Sequence, residues 1–184
     1  MTLDAIDTIA LTLAANDNQI SGRTVIQKVI YFNKVKIPEI HVTPYVAYYY
    51  GPFNREIALG LEKMVVMGYI QERKIHGYHD GYQYQITDAA MPMVEKLKKT
   101  SRSAFQKIKS IVDQCNDFCN LNPNTLSVAA KMHYMLVTNK KTKVCGMSLL
   151  EAVKMAKKFG WNISRKEVEN GAELLEKLQF VKYS

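Results

Sequence analysis

The sequence predicts a mostly α-helical protein that contains one small β-hairpin. Apolar residues recur at three- and four-residue spacing through most of the chain, and two short β-prone segments flank a glycine-rich turn. The composition, 47% hydrophobic and 23% charged with few Pro and Gly, is that of an ordinary globular protein. Because 184 residues suffice for two small lobes, we expect a first module over residues 1–100 and a helical domain over residues 101–184.

Two helices and a strand are predicted at the start of the chain. Residues 3–13 place Leu and Ile at helical spacing, and the polar run of residues 16–18 ends that pattern. A second helix is predicted from about Arg23 to Val35, because Pro38 blocks its continuation. Residues 45–50 are rich in aromatic side chains and therefore predict a β-strand.

A third helix is predicted after the aromatic strand. Gly51-Pro52 is expected to break the strand, and Asn54 is a suitable N-cap for a helix that runs to about Met67. Gly68 then lies where a helix C-cap glycine is expected.

A β-hairpin and a fourth helix complete the first module. Residues 69–75 and 82–86 predict two strands, and Gly77 and Gly81 permit the positive φ values that the turn requires. Thr87 is expected to cap the fourth helix. Helix, helix, strand, helix and hairpin, in that order, predict a winged-helix module.

The second half is predicted to be helical throughout. The four predicted helices cover residues 103–118, 125–137, 148–159 and 164–178. The last two start with capping-box patterns, Ser148 with Glu151 and Ser164 with Glu167, in which each side chain satisfies a backbone N–H at the helix start. Residues 120–124 form the clearest break between helices.

The net charge of +8 is distributed unevenly along the chain. Residues 1–92 contain eight basic and nine acidic residues, whereas residues 93–184 contain seventeen and eight. A concentrated positive face favours nucleic acid as a partner, and a solvated surface is the alternative. In the second half, the basic residues that we assign to phosphate contacts are Lys96, Lys98, Lys99, Arg102, Lys140, Lys141 and Lys143.

The first module allows two hypotheses about its ligand. If it binds double-stranded DNA, the third helix enters the major groove and the hairpin touches the backbone. The residues that we assign to these contacts are Asn54, Arg55, Lys63, Arg73 and Lys74. However, acidic residues interleave with them, and Leu59 and Val66 lie off the buried stripe of the third helix, which is more typical of a protein interface. The sequence thus predicts a homodimeric DNA-binding transcription regulator or, alternatively, an adaptor or antitoxin-like module that binds a partner protein.

The aromatic residues are interpreted as packing residues. Tyr45, Tyr48, Tyr49, Tyr50 and Phe53 have the side chains of a base-stacking platform, but Pro44 to Pro52 contains no basic residue to accompany them. We therefore expect these rings in the core or between elements. Trp161 is expected to fill the junction between the last two helices.

The sequence predicts no catalytic, cofactor or metal site. It contains no glycine-rich phosphate loop, no HExxH and no Ser or Cys nucleophile signature, so we expect a protein that is not an enzyme. Some side chains of metal-binding type are present, but they lack a complete ligand set, so we interpret them as structural or solvated. They are His76, His79, Asp80, Cys115, Cys119 and His133.

The start of the chain and its cysteines predict a location. Residues 1–7 contain no basic residue, whereas a secretory signal requires a positive start followed by an apolar run. No segment approaches the roughly 18 apolar residues of a membrane span. Three cysteines fit a reducing compartment, so we expect a cytoplasmic protein with no membrane contact.

Four segments resemble known families. Residues 61–70 and 82–87 look like the helix, wing and following helix of bacterial and archaeal winged-helix regulators. Residues 22–32 (GRTVIQKVIYF) and 48–54 (YYYGPFN) are similar to the YwgA-like proteins and, more distantly, to the Panacea antitoxin domain. These families share an "LQK-LYF" helix and an aromatic strand that ends in Gly-Pro. The resemblance covers about residues 20–90 and implies the fold; Panacea domains act by binding protein toxins.

Overall fold

The predicted fold class is confirmed by a computed structural model that describes residues 2–75, 81–138 and 149–180. These residues form eight α-helices and five short strands. The helices are α1 (Ala5–Ala15), α2 (Arg23–Lys36), α3 (Arg55–Val66), α4 (Met91–Thr100), α5 (Arg102–Cys119), α6 (Pro123–Thr138), α7 (Leu149–Lys158) and α8 (Arg165–Lys177). The strands are β1 (Gln19–Ser21), β2 (Val46–Tyr48), β3 (Gly51–Phe53), β4 (Ile70–Ile75) and β5 (Gly81–Ile86).

The chain forms two compact units. The first comprises Met1–Tyr45 and Asn54–Asp113, and the second comprises Val46–Phe53 and Gln114–Ser184. This division differs from the predicted ranges 1–100 and 101–184. The aromatic hairpin β2–β3 belongs to the second unit, and the first unit extends into α5.

Helix α1 is the centre of the first unit. Its residues are apolar on almost every side, and Ile9 and Leu13 are fully buried. The Asp4 carboxylate caps the helix by accepting a hydrogen bond from the N–H of Asp7 at 2.9 Å. Because α1 packs against α2, α3 and α4, it fixes the side of α3 that faces away from solvent.

A three-stranded antiparallel sheet with the order β1-β5-β4 completes the first unit. The sequence did not predict β1. The polar run after α1 adopts left-handed backbone at Asp17 (φ 51°) and Asn18 (φ 65°), which Asp and Asn tolerate better than most residues, and this reverses the chain into β1. Helices α1, α2 and α3 with β4 and β5 follow the predicted order of elements, and the winged-helix assignment remains our interpretation of that order.

Two local predictions are wrong. Gly51-Pro52 does not end the aromatic strand but forms β3, which pairs with β2 after a two-residue turn. Gly51, the residue directly after the turn, has a left-handed φ of 97°, a conformation that often follows a type I turn in hairpins and that glycine adopts without strain. Pro52 is tolerated because each strand of a two-stranded ribbon is an edge strand. Thr87 does not cap α4: its hydroxyl donates to the carbonyl oxygen of Gly68 at 2.7 Å, and a 3₁₀ turn precedes α4.

Helix α6 is the centre of the second unit, where it packs against α7, α8 and β3. At Gly171 the helices α6 and α8 approach so closely that a Cβ atom would lie 2.9 Å from Cγ1 of Val128. The capping box predicted at the start of α8 is confirmed, since Ser164 and Glu167 exchange both of its hydrogen bonds. The second predicted capping box includes Ser148, which lies outside the described residues.

Candidate interaction surfaces

Asn54 positions the start of α3 and is fully buried. Its Oδ1 accepts the N–H of Ile57 at 3.0 Å, and its Nδ2 donates to the carbonyl oxygen of Thr43 at 2.6 Å. The buried amide of Gln27 bonds both the N–H and the carbonyl oxygen of Asn54, at 3.0 and 2.9 Å. The assignment of Asn54 to DNA contact is therefore wrong, because its polar atoms are enclosed and used in capping.

The outward side of α3 is partly apolar. Ile57, Leu61 and Met64 are buried, whereas Leu59 and Val66 are 52% and 87% exposed. We call Leu59, Glu62, Lys63 and Val66, which recur at three- and four-residue spacing and are all exposed, the α3 outer face. Arg55 is also exposed, but Glu56 follows it, so the formal charges of α3 cancel.

Arg23, a cation of the first unit at the start of α2, is neutralised by Glu72 on β4. Arg23 donates from Nε to the hydroxyl of Tyr84 at 2.5 Å, and its Nη2 lies 2.9 Å from Oε2 of Glu72. Hydrogen bonds from Tyr84 and Arg23 hold the pKa of the Glu72 carboxyl below its ordinary value, despite an opposing effect of burial. The sequence offered no signal for this cluster, because its members lie on α2, β4 and β5.

The two basic residues assigned to the wing lie on β4. Arg73 and Lys74 are both exposed. The guanidinium of Arg73 donates twice to Oε1 of Gln71, at 3.0 and 2.7 Å. The metal-type side chains of the turn, His76, His79 and Asp80, which we interpret as solvated, lie outside the described residues.

The basic stretch of α4 and α5 contains paired and unpaired cations. Lys98 pairs with Glu95 at 2.9 Å, so it is a weaker phosphate candidate than its neighbours. Lys96, Lys99 and Arg102 are exposed, and none of them forms an ion pair with an acid in the described part of the chain. We call these three residues the basic α4–α5 surface. Lys140, Lys141 and Lys143 lie outside the described residues.

The expectation that the aromatic segment packs inside the protein is correct only in part. Tyr45 packs edge-on against Tyr31, with ring centroids 5.1 Å apart. By contrast, Tyr48, Tyr49 and Tyr50 are 53%, 78% and 67% exposed, so core packing is wrong for these three side chains. They stand at the end of β2 and in the turn to β3, and we call them the tyrosine turn.

Trp161 supports the tyrosine turn from beneath. Its ring is 3% exposed and stacks on Phe159, with centroids 5.0 Å apart and an interplanar angle of 15°. Its indole N–H donates to the carbonyl oxygen of Tyr48 at 2.7 Å. The ammonium of Lys131 on α6 lies 5.6 Å from the centroid of the same ring, which is cation–π distance.

The remaining candidate ligands serve packing. Cys115 is buried, and Cys119 donates from Sγ to the carbonyl oxygen of Cys115 at 3.2 Å. Burial raises the pKa of both thiols, which disfavours the reactive thiolate. His133 is buried, with its ring centroid 4.7 Å from that of Phe180. Within residues 2–75, 81–138 and 149–180, no three His, Cys, Asp or Glu side chains are grouped as metal ligands.

No protein-family model and no curated protein matches this chain. The resemblance to YwgA-like and Panacea proteins therefore stays a prediction from residues 22–32 and 48–54. Among the helices that the structure describes, none combines the length and apolar character needed to cross a membrane.

Proposed function

We propose that this chain is a cytoplasmic, non-enzymatic adaptor that binds a partner protein through the α3 outer face. The observation that carries the proposal is the exposure of Leu59 and Val66, 52% and 87%, on a helix whose formal charges cancel. Binding to phosphates depends on net positive charge, whereas exposed apolar side chains gain free energy when a second protein surface covers them. The resemblance to Panacea domains, which bind protein toxins, supports the same class of ligand.

The α3 outer face favours a partner with an apolar patch and a polar rim. Leu59 and Val66 are one side of such a patch, while Glu62 and Lys63 offer one charge of each sign. This arrangement matches the apolar centre and polar edge of common protein interfaces. A second copy of this chain satisfies the same requirement, and a homodimer is one form of the proposal.

A photocrosslinking side chain at position 66 tests the proposal. We expect it to capture one defined protein in cells that naturally contain this chain. The matched control carries the same side chain at Val35, which is 44% exposed on α2. Sedimentation of the purified protein then distinguishes a second copy from a different partner.

The affinity of the captured partner gives the decisive result. Leu59→Glu should weaken binding at least about ten-fold, since it places a charge at the centre of the proposed patch, and the few hot-spot residues of an interface each contribute about 2 kcal/mol or more. Val35→Glu should change it by less than about two-fold. If Leu59→Glu and Val66→Glu bind the partner as wild type does, the α3 outer face is not its site.

A second candidate function is a DNA-binding transcription regulator. The observation that favours it is the basic α4–α5 surface, whose three cations form no ion pair within the described residues. Additional phosphate contacts would come from Arg55, Lys63, Arg73 and Lys74. A generic duplex should then bind at about 50 mM salt and lose most of its affinity in the triple Ala variant of Lys96, Lys99 and Arg102. Undetectable binding by the wild-type protein rejects this candidate.

A further inference from the structure

The tyrosine turn is an exposed aromatic surface that the α3 proposal leaves unused. Three consecutive tyrosines, Tyr48 to Tyr50, each expose more than half of their surface. Burying an exposed aromatic ring is favourable, because it removes apolar surface from water. A group of exposed rings at one turn therefore indicates a surface that binds a ligand.

The tyrosine turn stands on a rigid base. The Tyr48 ring packs on Phe53 with centroids 5.3 Å apart, and Tyr49 meets it edge-on at 5.1 Å. The backbone of Tyr48 is tied to the buried indole of Trp161. Held in this way, the rings lose little further conformational entropy when a ligand stacks on them.

A cation lies beside the base of the tyrosine turn. Residues 46–53 carry no charge, and the nearest charged side chain in the cluster beneath them is Lys131, beside Trp161. Residues 118–150, which include the whole of α6, contain no acid.

One acid does interact with Lys131. It is Glu167, and its carboxylate already accepts the hydrogen bonds of the α8 capping box from Ser164, at 2.8 and 2.6 Å. The carboxylate therefore remains fixed at the start of α8, and Lys131 shows no ion pair with it. Burial lowers the pKa of the Lys131 ammonium and Glu167 opposes that change, while the ammonium itself lies over the Trp161 ring beneath the turn.

We propose that the tyrosine turn and Lys131 bind single-stranded nucleic acid, with bases stacked on Tyr49 and Tyr50 and the backbone phosphates attracted to Lys131. Every base has a π-face that stacks on an aromatic side chain, and the phosphates require nearby cations. The surface supplies both in one unit of the fold. A partner protein also binds tyrosines, and Val46 on β2 is 55% exposed as well. The cation beside Trp161, on elements β2, β3 and α6 that contain no acid, favours a nucleic acid strand.

Fluorescence anisotropy with labelled oligothymidylate and oligouridylate of about 15 nucleotides tests this site. Tyr49→Ala and Tyr50→Ala should each weaken binding about ten-fold at about 50 mM salt, the effect of removing one stacked base. Tyr49→Phe and Tyr50→Phe should bind within about two-fold of wild type, because they keep the ring. Tyr82→Ala removes a 40% exposed tyrosine from β5 in the other unit and is the matched control.

Lys131→Gln tests the phosphate contact separately. It should reduce the slope of log affinity against log salt by about 0.7, the value for one contact with a single strand. The chain contains one tryptophan, Trp161, so its emission spectrum reports whether the base of the turn is intact in each variant.

Four results would overturn this inference. They are undetectable binding of either oligonucleotide at about 50 mM salt, equal affinity for single strand and duplex, wild-type affinity in Tyr49→Ala and Tyr50→Ala, and loss of binding only when the basic α4–α5 surface is changed. Loss of a partner protein in Tyr50→Ala, together with unchanged oligonucleotide binding, would assign the turn to that protein.

Discussion

The α3 outer face and the tyrosine turn both expose large hydrophobic side chains, but they differ in chemistry. On α3 the exposed side chains are aliphatic, Leu59 and Val66, and the charges of the helix cancel. On the turn they are aromatic, and the charge beside them is Lys131, whose acidic neighbour, Glu167 on α8, is engaged in the capping box.

Exposed apolar area alone does not identify the class of ligand. Aliphatic side chains gain by burial against another protein surface and have no π-face to offer a base. Aromatic side chains serve both kinds of partner, so the surrounding charge decides between them. We therefore assign a protein to the neutral helix and a nucleic acid strand to the positive turn.

The largest effect should follow removal of the support beneath the tyrosine turn. Trp161→Ala leaves a cavity next to Phe159, and it removes the indole N–H that donates to the carbonyl oxygen of Tyr48. We therefore expect the free energy of unfolding to fall by about 3 to 5 kcal/mol. Trp161→Phe keeps most of the ring volume and should lose about half of that or less. Urea denaturation followed by circular dichroism measures both. Equal stability of wild type and Trp161→Ala would mean that the turn does not depend on this base.

An intermediate effect should follow removal of the α3 cap. Asn54→Ala removes the N-cap hydrogen bond to Ile57 and the bond to Thr43, at a cost of about 1 to 2 kcal/mol. We expect this loss in thermal unfolding, with duplex affinity unchanged at temperatures where the variant is folded. A fully stable Asn54→Ala protein that binds duplex more weakly would restore Asn54 as a DNA contact.

A smaller, pH-dependent effect should follow neutralisation of Glu72. Its folded pKa is lowered, so its pairing with Arg23 stabilises the protein above the ordinary Glu pKa of about 4.3 and is lost as pH falls through the lower folded value. Glu72→Gln should therefore lower the free energy of unfolding by about 0.5 kcal/mol near neutral pH, the usual contribution of a partly exposed ion pair. In strong acid it should not change the free energy of unfolding. Unfolding curves of both proteins across this range give the difference, and a difference that grows towards low pH contradicts the ion pair.

The smallest effect on stability should come from the α3 outer face itself. Leu59→Asn and Val66→Asn change side chains that are already largely in water, so the free energy of unfolding should shift by no more than about 0.5 kcal/mol. Thermal melting of the two variants checks this. A loss comparable to that of Asn54→Ala would show that these side chains belong to the packing of the first unit, not to an interface.

Local signals in the sequence predicted much of the fold. The N-cap at Asn54 and the capping box at Ser164 were predicted because each depends on residues three apart in the chain. The exposure of Tyr48 to Tyr50 was not predicted. Consecutive aromatic residues lack the alternation of apolar and polar side chains that would distinguish a buried face from an exposed one.

The candidate sites were less predictable than the fold. Asn54 was assigned to DNA although an N-cap side chain must turn towards its own helix, and only its burial made that conflict visible. Residues 44–52 contain no cation, and Lys131 supplies one because it lies beside Trp161. Trp161 in turn contacts Tyr48, which is 113 residues away in the sequence. No pattern within a single element contains that information.

The central claim is that α3 binds protein and does not bind DNA. It is tested most directly by titrating duplex DNA into the double variant Arg55→Ala and Lys63→Ala, which lacks both exposed cations of the helix. We predict that any duplex affinity measured at about 50 mM salt stays within about two-fold of wild type. A loss of about ten-fold or more in that variant, with its fold intact, would show that α3 contacts DNA and would contradict this account.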